Sequence, residues 1–206
     1  MLEVSSFQKS YHEHLILDVS QLTIPKGVSW FEGVNGSGKS TFFKAVAGII
    51  PFEGEIALKG LSLKQNVVEF RRKVNYSYAE PRYPAFLSGK EIIDYHQKVY
   101  QSDGSEVKIL IESFGVEKYY ETPIGNYSSG MLKKISLISA LIGKPDLLLL
   151  DEPLTTIDAA SQNHLLAFLA EQECSILIAS HHALPAGPLK VSHHFLVDNM
   201  TIKQVS

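Results

Sequence analysis

One short stretch constrains this chain more than any other. Gly33-Val34-Asn35-Gly36-Ser37-Gly38-Lys39-Ser40 has the spacing G-x-x-x-x-G-K-S. The apolar run Val28–Glu32 precedes it and reads as a strand. Residues Lys39 to Ile49 follow it and read as a helix. Glycines let successive backbone N–H groups turn toward one point, and a helix N-terminus adds partial positive charge there. Asn35, Gly36, Ser37, Gly38 and Thr41 line such a loop. Lys39 supplies a mobile cation for β- and γ-phosphates, and the Ser40 hydroxyl can reach Mg²⁺. The expectation is an α/β chain that binds a nucleotide.

The rest of the chain supports that architecture. Leu15–Val19 and Leu22–Ile24 read as strands before a Pro25-Lys26-Gly27 turn, Gly54–Leu63 as a hairpin and Val74–Tyr78 as a strand. From about residue 84 to 143 the pattern turns helical. Ser88, with capping-box spacing to Glu91, opens a helix that ends near Tyr100; Ser105–Phe114 and Ser129–Ile142 follow. Leu147–Leu150 and Ser175–Ala179 are continuous apolar strands flanking a helix from about Asp158 to Glu173, the pattern of a parallel sheet covered on both faces. His194–Val197 and Thr201–Val205 close as a hairpin. The expected division is an α/β core, 1–83 and 144–206, with a helical subdomain, 84–143, inserted.

Composition excludes several classes. Lys+Arg total 19 against Asp+Glu 22, so bulk positive charge does not hold this chain to nucleic acid. The single cysteine, Cys174, forms no intramolecular disulfide. No apolar run approaches the roughly 20 residues that span a bilayer, and Met1–Ser6 lacks the pattern of a signal peptide. The histidine pairs His181-His182 and His193-His194 lack the flanking ligand spacing of a structural metal site.

Three further segments carry chemistry. Leu147–Leu150 runs into Asp151-Glu152-Pro153. At the strand's end Asp151 can hold Mg²⁺ beside the phosphate loop, and Glu152 can polarise an attacking water. Tyr127-Ser128-Ser129-Gly130-Met131 starts a helix, with Ser128 or Ser129 as N-cap. Ser180-His181-His182 follows a strand.

In this order the segments resemble the ATP-binding subunit of ABC transporters, along essentially the whole chain. Gly33–Thr41 resembles the Walker A loop, Leu147–Pro153 the Walker B strand with its catalytic Glu, and Thr155–Asp158 the D-loop. His181 is similar to the switch histidine, and Tyr11 to the aromatic that stacks on adenine. Tyr127–Met131 is similar to the signature L-S-G-G-Q, with Tyr for Leu, Ser for the first Gly and Met for Gln; Ser128 and Gly130 remain. The Y-S-x-G-M spelling resembles small ATPases of ABC-2-type exporters. The Q-loop glutamine is replaced by Ala79, with Glu80 beside it as a substitute metal or water ligand.

The resemblance implies a P-loop core with an N-terminal antiparallel β layer and an inserted helical subdomain. It implies ATP and Mg²⁺, with Lys39, Glu152 and His181 in catalysis. It also implies a head-to-tail pair with a second ATP-binding subunit, as a homodimer or a heterodimer, in which Ser128 and Gly130 of one subunit meet the ATP on the other. The pore belongs to a separate integral membrane permease, which holds the subunit on the inner face of the membrane in the cytoplasm. Two other readings stand beside it: a degenerate or regulatory cassette with weak hydrolysis, and an ABC ATPase unconnected with transport.

Overall fold

The computed structural model describes residues 1–205. Its N-terminal layer is a four-stranded antiparallel sheet made of β1 (Leu2–Tyr11), β2 (His14–Ile24), β4 (Glu53–Leu58) and β5 (Leu61–Ser62), in the order β2-β1-β4-β5. The two separate strands expected in 15–24 are one. β2 pairs with β1 from Leu2↔Ile24 to Tyr11↔His14, and its polar residues between Val19 and Leu22 stay exposed without breaking the ladder.

The second sheet has six strands in the order β10-β9-β3-β8-β7-β6. They are β3 (Val28–Glu32), β6 (Val74–Ser77), β7 (Leu147–Asp151), β8 (Ser175–Ser180), β9 (His193–Asp198) and β10 (Thr201–Gln204). All pairs are parallel except the closing hairpin β9–β10. Every residue of β7 and β8 is buried, as a strand covered on both faces requires. The sheet divides the core. Leu147, Leu149 and Leu177 face the N-terminal layer and helix α1 (Lys39–Val46), while Leu148, Leu150, Ile176 and Ile178 face the helices on the other side.

Those helices are α3 (Gly89–Tyr100), α4 (Gly104–Phe114), α5 (Ser129–Leu141) and α6 (Ala159–Ala170). Ser88 caps α3 through the box with Glu91, and Gly115 ends α4 in a left-handed conformation. One apolar cluster joins Ile93, Leu110, Ile135 and Leu137 to Leu150 and Ile178 of the sheet. A short helix, α2 (Val67–Arg72), lies where the sequence shows no helical signal.

Candidate functional site

The C-terminal ends of β3, β7 and β8 lie side by side, with Glu32 opposite Ser180 and Asp151 opposite Ala179. The segments that follow these strands therefore meet at one edge of the sheet, where parallel α/β sheets place ligands. Three of the expected groups arrive there: the phosphate loop after β3, the two carboxylates at the end of β7, and His181 after β8.

The loop turns into α1 through Gly38, whose φ is +105°; a Cβ there would lie 2.9 Å from Leu17 Cγ. No side chain caps α1 and no acidic residue lies in its first turn, so that end keeps its dipole for an external anion. Lys39 is buried, and its ammonium donates to Gly33 O at 2.5 Å and Val34 O at 3.0 Å. Burial pulls its pKa down, while Glu152 and Asp151 pull it up. An arriving phosphate offers it a charged acceptor in place of two neutral carbonyls. Asn35 and Gly36 are exposed on the loop, and Ser37, Ser40 and Thr41 are half-buried.

Asp151 is 1% exposed. Its Oδ2 accepts from the Tyr76 hydroxyl at 3.0 Å, and its Oδ1 is buried without a hydrogen-bond partner. Burial raises its pKa; the Ser40 and Tyr76 hydroxyls and the Lys133 ammonium act the other way. An orphaned carboxylate oxygen beside a serine hydroxyl is a donor set of hard oxygens, which fits Mg²⁺. Glu80 lies on the wall of the same cavity of about 740 Å³ but makes no hydrogen bond to Ser40 or Asp151. Tyr76, which no sequence motif marks, holds the contact to Asp151.

Glu152 sits at φ +47°, in the left-handed region, and its carboxylate meets His181 whereas that of Asp151 meets Tyr76. Its Oε1 accepts from the backbone N–H of His181 at 3.1 Å and lies 2.9 Å from His181 Nδ1. The structure thus brings Glu152 and His181 together as one hydrogen-bonded pair.

Ser128 is the N-cap of α5. Its Oγ accepts from Met131 N at 3.2 Å, and Met131 Sδ faces Ser128 N at 3.5 Å. The capping box survives with a thioether in the third helical position. Gly130 packs on the Thr156 carbonyl so closely that a Cβ would stand 2.5 Å from it. Lys134 pairs with Asp158 at 2.7 Å and, with the Ser161 N–H and hydroxyl, holds that carboxyl well below its usual range. Among the described residues no hydrogen bond or ion pair joins Ser128–Gly130 to the phosphate loop of the same chain. Tyr11 ends β1 at 44% exposure, with Lys9 Nζ 4.7 Å from its ring centre.

A second residue lies outside every motif in the sequence. Lys133 on α5 is fully buried, and its ammonium reaches the carbonyls of Tyr78 and Asp151; burial brings its pKa down to about 8. Its one signal is a lysine on a helix whose following residues are apolar.

A family model described as ABC transporter matches residues 17–155, the span from β2 through both carboxylates. The chain belongs to the ABC transporter family. It is an ATP-binding subunit, and its reaction is the hydrolysis of ATP to energise transport. The ABC transporter ATP-binding protein NatA of Bacillus subtilis is 32% identical over 81% of this chain and 71% of its own length. The cytochrome c biogenesis ATP-binding export protein CcmA of Legionella pneumophila is 27% identical over 95% of this chain and its whole length. The dimeric, post-hydrolysis structure of the ATP-binding cassette MJ0796 with ADP and Pi superposes with a TM-score of 0.81, at 18% identity, covering 100% of this chain and 99% of that one. The α/β fold expected from the sequence, with its antiparallel layer and parallel core sheet, is the family's fold.

Proposed function

We propose that this subunit drives an exporter, working as a head-to-tail pair that closes on two Mg²⁺-ATP and pushes a separate membrane permease between two conformations. The observation that carries the reading is a division within the chain. Lys39, Asp151, Glu152 and His181 converge at one sheet edge, whereas among the described residues the helix end at Ser128–Gly130 has no acidic residue in its first turn and no bond to that edge. A helix N-terminus favours a negative group, and a second copy's γ-phosphate supplies one. That CcmA is an export protein and that the MJ0796 cassette is dimeric support the direction and the pairing.

In this reading Asn35, Gly36, Ser37, Gly38 and Thr41 present the loop's donors to the phosphates. Lys39 leaves the Gly33 and Val34 carbonyls for the β- and γ-phosphates. Ser40 and Asp151 hold the cation, which when bound neutralises charge on those phosphates. Glu152 orients the attacking water and accepts its proton, and His181 holds the Glu152 carboxylate in place. Tyr11 stacks on the base. Glu80 acts through a bridging water from the cavity wall. Residues 84–143 act as the helical subdomain that presents Ser128 and Gly130. Phe86, Tyr95 and Val99, all exposed on it, offer apolar surface to the permease, which would hold the subunit at the inner face of the membrane. No helix among the described residues is long and apolar enough to cross a membrane itself.

Glu152→Gln tests the reading. Gln keeps the size but cannot act as base, so ATP binding persists while turnover falls at least about a hundredfold. Size-exclusion chromatography should show a dimer with ATP that disappears with ADP. A monomer with ATP demonstrably bound would refute the paired site, and unimpaired turnover would remove Glu152 from catalysis.

A further inference from the structure

Helix α5 spends a buried cation where an apolar side chain could fill the space. The Lys133 ammonium donates to Tyr78 O and Asp151 O, each at 2.7 Å, and to Ala79 O at 3.4 Å. An ammonium has three donors and no acceptor, so its hydrogen bonding is complete. Burying a cation is costly unless it is bonded in this way. The three carbonyls come from two segments distant in sequence. One is the corner after β6, and the other is the last residue of β7, immediately before Glu152.

The same stripe of α5 continues the connection. Ser136 Oγ lies 3.2 Å from Ser77 Oγ and accepts from Tyr78 N at 3.3 Å. Asn75 Nδ2 donates to the Ala140 and Ile142 carbonyls, each at 2.9 Å. Lys133, Ser136 and Ala140 follow helical spacing along one face. Polar bonds therefore fasten α5 to β6 along its length, and Lys133 is the fastening nearest the reacting groups. Ala79 has only a methyl group, so the corner is located through its backbone and not through a polar side chain at that position.

We propose that Lys133 is a positioning residue for ATP hydrolysis, fixing Asp151 and Glu152 in place relative to the helix that begins at Ser128 and Gly130. The inference rests on the site assignment above. Lys133 touches no phosphate; it acts through the two backbone segments it joins. Misplacing a reacting group by about 1 Å can cost roughly a hundredfold in rate, so the effect belongs in turnover and not in ATP affinity.

The test compares Lys133→Met, which keeps most of the length and removes the donors, with Lys133→Gln, whose neutral amide keeps N–H donors for the carbonyls. ATP affinity, turnover and amide exchange over residues 78–82 are measured in each. Lys133→Met should keep ATP affinity within threefold, lose at least tenfold in kcat and exchange faster over 78–82. Lys133→Gln should recover at least a third of wild-type kcat. Wild-type turnover in Lys133→Met overturns the proposal, as does an equal loss of affinity and kcat. If the Met variant does not fold, Lys133→Gln decides through exchange and rate together: a loss of kcat at unchanged affinity that accompanies faster exchange over 78–82 supports the role, and faster exchange there with wild-type kcat overturns it. Glu152→Gln is run beside them. Retained turnover there would remove the site assignment itself, whereas wild-type turnover in Lys133→Met alone removes only the positioning role.

Discussion

Asp151→Asn should make the nucleotide-free protein more stable while removing its activity. Asp151 is buried with Oδ1 unpartnered. An unmet buried acceptor costs about 1–3 kcal/mol, and more when charged. Asn removes the charge, keeps an acceptor for the Tyr76 hydroxyl and offers its N–H₂ to the Ser40 hydroxyl beside it, which can accept. Lys39 and Lys133 lose one of their two neighbouring carboxylates, which subtracts part of the gain. A net of about 1–2 kcal/mol remains, and for a chain of this size that raises Tm by roughly 2–8 °C. The pH dependence follows from the raised pKa of Asp151. A carboxyl raised above its unfolded value favours the fold below that value and loses this advantage as pH rises through the folded pKa. The Asn advantage is therefore largest above the raised folded pKa of Asp151 and shrinks toward zero as pH falls into the usual carboxylate range. Asp146 and Asp158, whose folded pKa values are depressed, destabilise both proteins alike in acid and cancel in the difference. Thermal melts of both proteins from pH 4 to 8 measure the effect. Mg²⁺-ATP should then stabilise the wild type much more than the variant. A variant Tm at or below wild type at pH 7.5, or a difference independent of pH, would refute the reasoning.

Three further outcomes are expected. Tyr11→Ala should weaken ATP binding roughly ten- to a hundredfold, since stacking on a base is worth about 1–3 kcal/mol; unchanged affinity in a titration places the adenine elsewhere. Gly130→Ala should slow turnover at least tenfold with ATP affinity for the isolated chain unchanged, because its methyl would meet the Thr156 carbonyl at 2.5 Å; normal steady-state ATPase would show that the D-loop yields freely. Lys134→Ala should destabilise the chain by about 1 kcal/mol at neutral pH and less in acid, because the depressed Asp158 pKa gives stability that is lost as pH falls; equal stability at pH 7 in a denaturant titration would dismiss the pair.

Local rules make much of this fold legible. Leu147–Leu150 announces a doubly covered strand because both of its faces are apolar, and Ser88 announces a helix because its box with Glu91 is local chemistry. Val67–Arg72 does not announce itself. Two β-branched valines open it, only Phe70 is buried, and packing of that one ring holds the turn. The site divides in the same way. Lys39, Asp151, Glu152 and His181 lie in short motifs or at strand ends. The roles of Tyr76 and Lys133 depend on which strand stands beside β7 and which face of α5 meets it, and no window of sequence contains that information.

The seat of Gly130 on Thr156 has a kinetic consequence. Thr156 lies only a few residues beyond Glu152, so in the proposed pair the segment offered to a partner's nucleotide rests on the chain that follows the carboxylate assigned to the attacking water. In the proposed pair, a shift at either nucleotide reaches the other through two such contacts. The rate should then rise with ATP concentration more steeply than independent sites allow, with a Hill coefficient above 1, and Gly130→Ala should flatten that curve as well as lower it.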